Sequence, residues 1–154
     1  MSPAFVVIDV QRRFEHRMQH PPLGDAVEVI TRVASLFRAA GHPVVWVYDD
    51  ERGAKGTPGF ELVEGLAPHA DDVRHHKTAA NAFKTLTVRG CDFFLLAGFK
   101  ADGCVLASAM GAQDRDLPFA VLRGGLIDST RQSVAFIDAL LPVVSHEVVT
   151  AMLR

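Results

Sequence analysis

Short, continuously apolar, β-branched runs alternate with longer amphipathic stretches along this chain, and that alternation constrains the fold more than anything else in the sequence. The first run, AFVVI at 4–8, lacks polar alternation and so reads as a strand covered on both faces; it ends at Asp9. Over 25–40 the spacing puts Ala26, Val29, Ile30, Val33, Phe37 and Ala40 on one helical face, and Gly41 followed by Pro43 supplies the stop. Further strands are predicted at PVVWVY (43–48), DVRHH (72–76, an edge), DFFLLAG (92–98), PFAVLRG (118–124) and SHEVV (145–149), with helices over 104–115 and 130–141. From Asp50 to Asp72 glycine and proline predict an irregular excursion with one helical turn at FELVEGL (60–66).

Parallel neighbours need crossover connections, and right-handed crossovers return the helices to the sheet. The alternation therefore predicts a parallel sheet with helices on both faces. A chain of 154 residues, 49% of them hydrophobic, suits one domain that buries roughly 70% of its extended-chain surface. A formal net charge of -2 with interspersed signs lacks the basic field that nucleic acid or an anionic membrane would select, so a small-molecule substrate is the expected partner. The N-terminus enters the first strand without a basic leader, and no apolar stretch approaches the ~18 residues of a membrane span, so a cytoplasmic location is expected. Only Cys91 and Cys104 are present, without metal-ligand spacing, so reduced thiols are the expectation.

In such sheets the ligand crevice lies beyond the carboxyl ends of the strands. Asp9 follows the first strand, Lys77 the third, and Cys104 opens the helix after the fourth, which puts all three toward one rim. Singly, each has a plainer explanation: a turn cap, a solvated lysine, a small buried hydrophobe. Together they meet a chemical need. A thiol with its ordinary pKa near ~8.5 is mostly protonated at neutral pH and becomes a nucleophile only beside a base or a positive potential. Lys77 and a helix N-terminus supply the potential, Asp9 takes the proton, and backbone amides of FKADGC face a developing oxyanion. Cys91, in RGCDFF, reads as a structural thiol. Gln11, Phe14, Tyr48, Phe83 and Phe99 are the candidate crevice lining, with core packing the alternative for the phenylalanines. The basic run RRFEHR offers attraction for an acidic substrate, a solvated loop being the alternative.

These motifs resemble those of the isochorismatase-like cysteine hydrolases, which include nicotinamidases, N-carbamoyl amide hydrolases and isochorismatase. VVIDVQRRF is similar to the family's D-x-Q-x-x-F, carried by Asp9, Gln11 and Phe14; the segment to Lys77 and Phe83 resembles the lysine region; LLAGFKADGCV resembles the nucleophile turn through Gly98, Asp102, Cys104 and Val105. The resemblance implies an Asp9, Lys77, Cys104 triad, a cis peptide between Phe99 and Lys100, and an oxyanion hole from the Lys100 and Cys104 amides. It completes the predicted fold as a three-layer doubly wound α/β sandwich, its six-stranded, mostly parallel sheet in the order 3-2-1-4-5-6.

The sequence also departs from the family. Between Phe83 and Gly90 it is about half a dozen residues shorter than the usual helix, which reduces that crossover to a turn or two. Lys100 stands where a small residue or threonine is usual, and Arg12-Arg13 replace an asparagine-acid pair. Nicotinamidases carry an aspartate and histidines after the second strand, whereas YDDERGAKGTPGF has no histidine. No metal or dissociable cofactor is expected, and His75 and His76 should point to opposite faces of their strand. The expected activity is hydrolysis of a small amide or related C-N substrate through a thioester; vinyl ether hydrolysis and a catalytically silent binding module of the same fold are the alternatives. A homodimer or homotetramer is expected.

Overall fold

The computed structural model describes residues 1–50 and 55–154. Six strands, β1 (Pro3–Ile8), β2 (Val44–Asp49), β3 (Val73–Lys77), β4 (Phe93–Phe99), β5 (Phe119–Ile127) and β6 (Val143–Val144), form one sheet in the order β3-β2-β1-β4-β5-β6. Every pairing is parallel, as the alternation predicts. The helices are α1 (Leu23–Ala39), α2 (Leu106–Asp114), α3 (Arg131–Leu140) and α4 (His146–Met152).

The pleat of β1 explains the two-sided core. Phe5 and Val7 point to a cluster with Ala26, Ile30, Val33 and Phe37 of α1 and Val149 of α4. Ala4, Val6 and Ile8 point the other way, to Ala109 and Ala112 of α2 and Ile137 of α3. Each full burial of such an aliphatic or aromatic side chain is worth ~1.5–3 kcal/mol, which is why the apolar runs settle at the centre of the sheet. Cys91 is partly buried against the second cluster, and burial pushes its thiol pKa up.

Three expectations are corrected. SHEVV is not a strand: pairing stops at Val144, and Ser145 caps α4 by accepting from the Val148 N–H, so the β-branched pair continues as helix. No helical turn forms over Glu61–Leu66, where the Leu66 N–H donates to the Val63 carbonyl to close a simple turn; the short 3-10 turn lies earlier, at Pro58–Phe60, where proline favours the start of a turn. The helix predicted from 104 begins at Leu106, after a wide turn over Ala101–Val105 in which Gly103 is not helical. The excursion from Asp50 includes residues 51–54, which lie outside the described residues. Among the described residues no helix is long and apolar enough to cross a membrane.

The segment from Phe83 to Gly90 holds no crossover helix beyond one 3-10 turn, Ala82–Lys84. Side chains fasten what a longer helix would pack. The Ala82 N–H donates to Ser108 Oγ at 3.0 Å, and Arg115 Nη1 donates to the carbonyls of Phe83 and Leu86 at 2.8 and 2.6 Å. Gly111 lets α2 lie close, since a Cβ there would meet Asn81 Oδ1 at 2.0 Å.

Candidate active site

Asp9, Lys77 and Cys104 meet at the carboxyl ends of β1, β3 and β4. Lys77 Nζ is 2.9 Å from Asp9 Oδ2 and 3.7 Å from Cys104 Sγ. Asp49, the last residue of β2 and the register partner of Lys77, adds a second carboxylate 3.9 Å from the same ammonium. Local backbone makes this convergence possible. Asp9 leaves the extended conformation with φ 55, a left-handed setting that aspartate tolerates better than β-branched residues do. At the end of β4, Gly98 has φ +123, and a Cβ there would lie 2.1 Å from the Ile8 carbonyl oxygen, so only glycine lets β4 close on β1. The next peptide bond, Phe99–Lys100, is cis, and the turn after it presents Cys104.

Both carboxyl oxygens of Asp9 are buried; Oδ2 lies 2.9 Å from Lys77 Nζ, and the Lys77 ammonium and the Cys104 thiol are the groups that interact with the carboxylate. Burial pushes the Asp9 pKa up to about 6 against the pull of Lys77. Burial also pushes the Cys104 thiol up to about 12, with Asp9 adding to the rise and Lys77 opposing it. For Lys77 burial acts downward, but the combined pull of Asp9, Cys104 and Asp49 outweighs it and the pKa rises. The resting site is therefore a carboxylate, an ammonium and a neutral thiol. Moving the thiol proton to Asp9 keeps the total charge constant, because the proton stays within the site, and leaves the sulfur anion beside Lys77 without the competing carboxylate.

Ligand atoms of Asp9, Asp49 and Cys104 lie within 4.8 Å of one another, a spacing that suits a cation. The positive charge in their midst is the Lys77 ammonium, at 2.9, 3.9 and 3.7 Å from them respectively.

A cavity of about 270 Å³ opens over the cluster, lined by Asp9, Asp49, Cys104, Phe14, Phe99 and Arg17, with Ala80, Lys100 and Gly103 completing the wall. Phe14 and Phe99 thus sit where the sequence puts them, their ring centroids 5.5 Å apart. The other three lining candidates do not. Gln11 is fully buried; its Oε1 accepts from the Asp49 N–H at 2.9 Å and its Nε2 donates to the Phe60 carbonyl at 2.9 Å, so it clamps main chain behind the site. Tyr48 precedes Asp49 on a pleated strand and therefore faces the α1 side, stacked on Phe60 and His76 in a different cavity. Phe83 packs edge-on against Phe94 in the core under α2.

Lys100 turns its ammonium to Asp102 and lies 3.8 Å from Asp128 Oδ1, while its main chain borders the cavity. His75 and His76 do point to opposite faces: His75 Nε2 is 2.9 Å from Thr85 Oγ1, and His76 stacks on Tyr48. Sequence reasoning passed over Asp49 and Arg17. Asp49 was accessible by the same rule that found Asp9, since it ends a strand; the predicted strand stopped one residue short. For Arg17 the signal was the basic run RRFEHR, which is a 3-10 turn, Arg12–Arg17, at the cavity mouth.

The isochorismatase domain model matches residues 3–144. Solved structures similar to this chain include N-carbamoylsarcosine amidase from Thermoplasma acidophilum, at 25% identity and TM-score 0.77, covering 94% of this chain and 95% of that one. An isochorismatase-like hydrolase from Alkaliphilus metalliredigens is similar at 19% identity and TM-score 0.85, covering 99% of each. A cysteine hydrolase from Pseudomonas syringae pv. phaseolicola is similar at 20% identity and TM-score 0.80, covering 99% of this chain and 94% of that one. No curated protein matches the chain.

Proposed function

The chain belongs to the isochorismatase domain family, a family of hydrolases, and from that premise we propose that it hydrolyses a small amide or related C-N substrate with Cys104 as nucleophile. The observation that carries the reading is the placement of one buried ammonium, Lys77 Nζ, 2.9 Å from Asp9 and 3.7 Å from the Cys104 sulfur, two residues that line a cavity.

Asp9 accepts the thiol proton, and the thiolate forms a bond to the substrate carbonyl carbon. The carbonyl π pair moves to oxygen, which lies against the main-chain N–H groups of Lys100 and Cys104; a preorganised donor of this kind is worth ~3 kcal/mol. Collapse breaks the C-N bond, and the leaving nitrogen takes the proton from Asp9. Water then adds to the thioester, giving its proton to Asp9, and the thiol is regenerated as the acid leaves. Lys77 holds the sulfur as an anion when Asp9 is protonated and pairs with Asp9 when it is not, so the site carries the same charge before and after each proton transfer. Support comes from the interaction of the buried Asp9 carboxylate with the Cys104 thiol, which makes Asp9 the natural acceptor for that proton, and from the similarity to an amidase.

The test is acid quench of the protein during turnover of N-carbamoyl compounds and small amides, followed by mass spectrometry of the peptide containing Cys104. An acyl adduct there, absent in Cys104→Ala along with turnover, is expected. Turnover with no adduct, or undiminished turnover by Cys104→Ala, overturns the thioester mechanism and favours vinyl ether chemistry or an acid-base route.

A further inference from the structure

The cations around the cavity divide into two kinds. Lys77 faces Asp9 and Asp49, Lys100 faces Asp102 and Asp128, and Arg13 lies 3.4 Å from Asp49 Oδ1. Arg17, which lines the cavity, has no ion pair among the described residues. It is nonetheless held in place. Its main-chain oxygen accepts from Ser129 Oγ at 3.0 Å, and its guanidinium carbon lies 5.5 Å from the centroid of the Phe99 ring. A guanidinium resting over a ring keeps its in-plane N–H groups free, and those match a carboxylate in bidentate fashion.

The rest of the cavity tells such a ligand which way to lie. Asp9 and Asp49 on the floor repel an anion, whereas the floor is where the scissile carbonyl must meet Cys104. The anionic end therefore belongs at the exposed Arg17 side, with Phe14 and Phe99 offering an apolar wall to the rest of the ligand. At about 270 Å³ the space falls below the ~300–1,000 Å³ of pockets for drug-sized ligands, so the substrate is small. Resting on the amide reading above, we infer that the substrate is a small amide bearing a carboxylate at the end remote from the bond that breaks, and that Arg17 is the residue that selects it.

The experiment uses two alkylating reagents that differ in charge and need no turnover. Iodoacetate and iodoacetamide are reacted with the folded protein, modification of the Cys104 peptide is timed by mass spectrometry, and the ratio of the two rates is compared among wild type, Arg17→Gln and Arg17→Lys. The ratio should fall roughly threefold in Arg17→Gln, within the range of an exposed ion pair, be largely restored in Arg17→Lys, and converge on the Arg17→Gln value at high salt. An unchanged iodoacetamide rate shows that the cysteine itself is undisturbed. In parallel, KM for N-carbamoylglycine should rise about tenfold in Arg17→Gln, while KM for N-carbamoylglycinamide stays put. Equal alkylation ratios in wild type and Arg17→Gln overturn the inference, whether or not amides are turned over. A ratio that falls in a protein that hydrolyses no amide leaves Arg17 as the anion-selecting residue and sinks the amide reading instead.

Discussion

Asp72 and Asp9 are buried carboxylates at opposite ends of the same parallel sheet, one just before β3 and the other just after β1. Asp72 is fully answered. Arg38 donates to it from Nε and Nη2 at 3.0 and 2.5 Å, Trp46 Nε1 at 2.7 Å and the His69 N–H at 2.8 Å. Burial works to raise its pKa, but those hydrogen bonds and the Arg38 charge overcome it and hold the group down at about 2. Asp9 has the Lys77 ammonium at ion-pair distance and the Cys104 thiol beside it, too little to offset its burial, which wins, up to about 6. The same side chain is a structural rivet where donors outweigh burial, and is suited to the proposed role of proton acceptor where burial outweighs them.

The comparison breaks most visibly in activity. Asp9→Asn and Cys104→Ala should each lower kcat/KM by ~10³-fold or more, because each removes a member of the proposed proton-transfer unit, whereas Asp72→Asn should leave kcat/KM of the folded protein within about twofold. Should Asp72→Asn prove as damaging as Asp9→Asn in steady-state kinetics, the division of labour between the two ends is wrong.

Stability should show the reverse order. Asp72→Ala strands a largely buried Arg38 and leaves the Trp46 indole N–H without its acceptor, at a cost of ~2–3 kcal/mol measured by denaturant unfolding.

The pH dependence sharpens the contrast further. A carboxylate whose folded pKa lies above its unfolded value stabilises only while protonated, so the Asp9 contribution is fully present below about pH 4 and is lost as pH rises through about 6, a swing of ~3 kcal/mol. Asp72 is depressed, so its contribution is present above about pH 4 and fades as pH falls through about 2. Unfolding free energies from pH 4 to 7 should therefore slope less in Asp9→Asn than in wild type. The acid limb of kcat/KM should fall near pH 6, where Asp9 gains its proton and can no longer take one from sulfur.

The smallest effect belongs to Asp49. At 3.9 Å from Lys77 it shares the ammonium with Asp9, and Asp49→Asn should cost about tenfold in kcat, with the acid limb displaced to lower pH because a like charge that raises Asp9 is gone.

How much of this was written in the sequence depends on the range of the interaction involved. The strands of the sheet's centre, β1, β2 and β4, were legible because burial on both faces demands an unbroken apolar run, a local pattern. The end of the chain was not: Val148 and Val149 look like strand until the Ser145 cap and the two-residue length of β6 decide for helix. Asp9, Lys77 and Cys104 could be singled out because each follows a strand, and parallel topology carries such positions to one rim. Tyr48 could not be excluded in the same way, since its face follows from the pleat register with Lys77, and shifting a strand boundary by one residue reverses it. Gln11 resembled a ligand-binding residue by its place after the first strand; only tertiary contacts reveal that its amide is consumed by the main chain of Asp49 and Phe60.

Lys77 ends the strand at the margin of the sheet, hydrogen-bonded on one side only, to β2. Marginal strands are the first to fray, and subglobal opening needs less free energy than unfolding the interior. Peeling β3 away would withdraw the ammonium while leaving β1, β4 and the cysteine turn assembled. On warming, separation of Lys77 from Cys104 should then precede loss of the fold, and the proposed activity should fade before the protein melts.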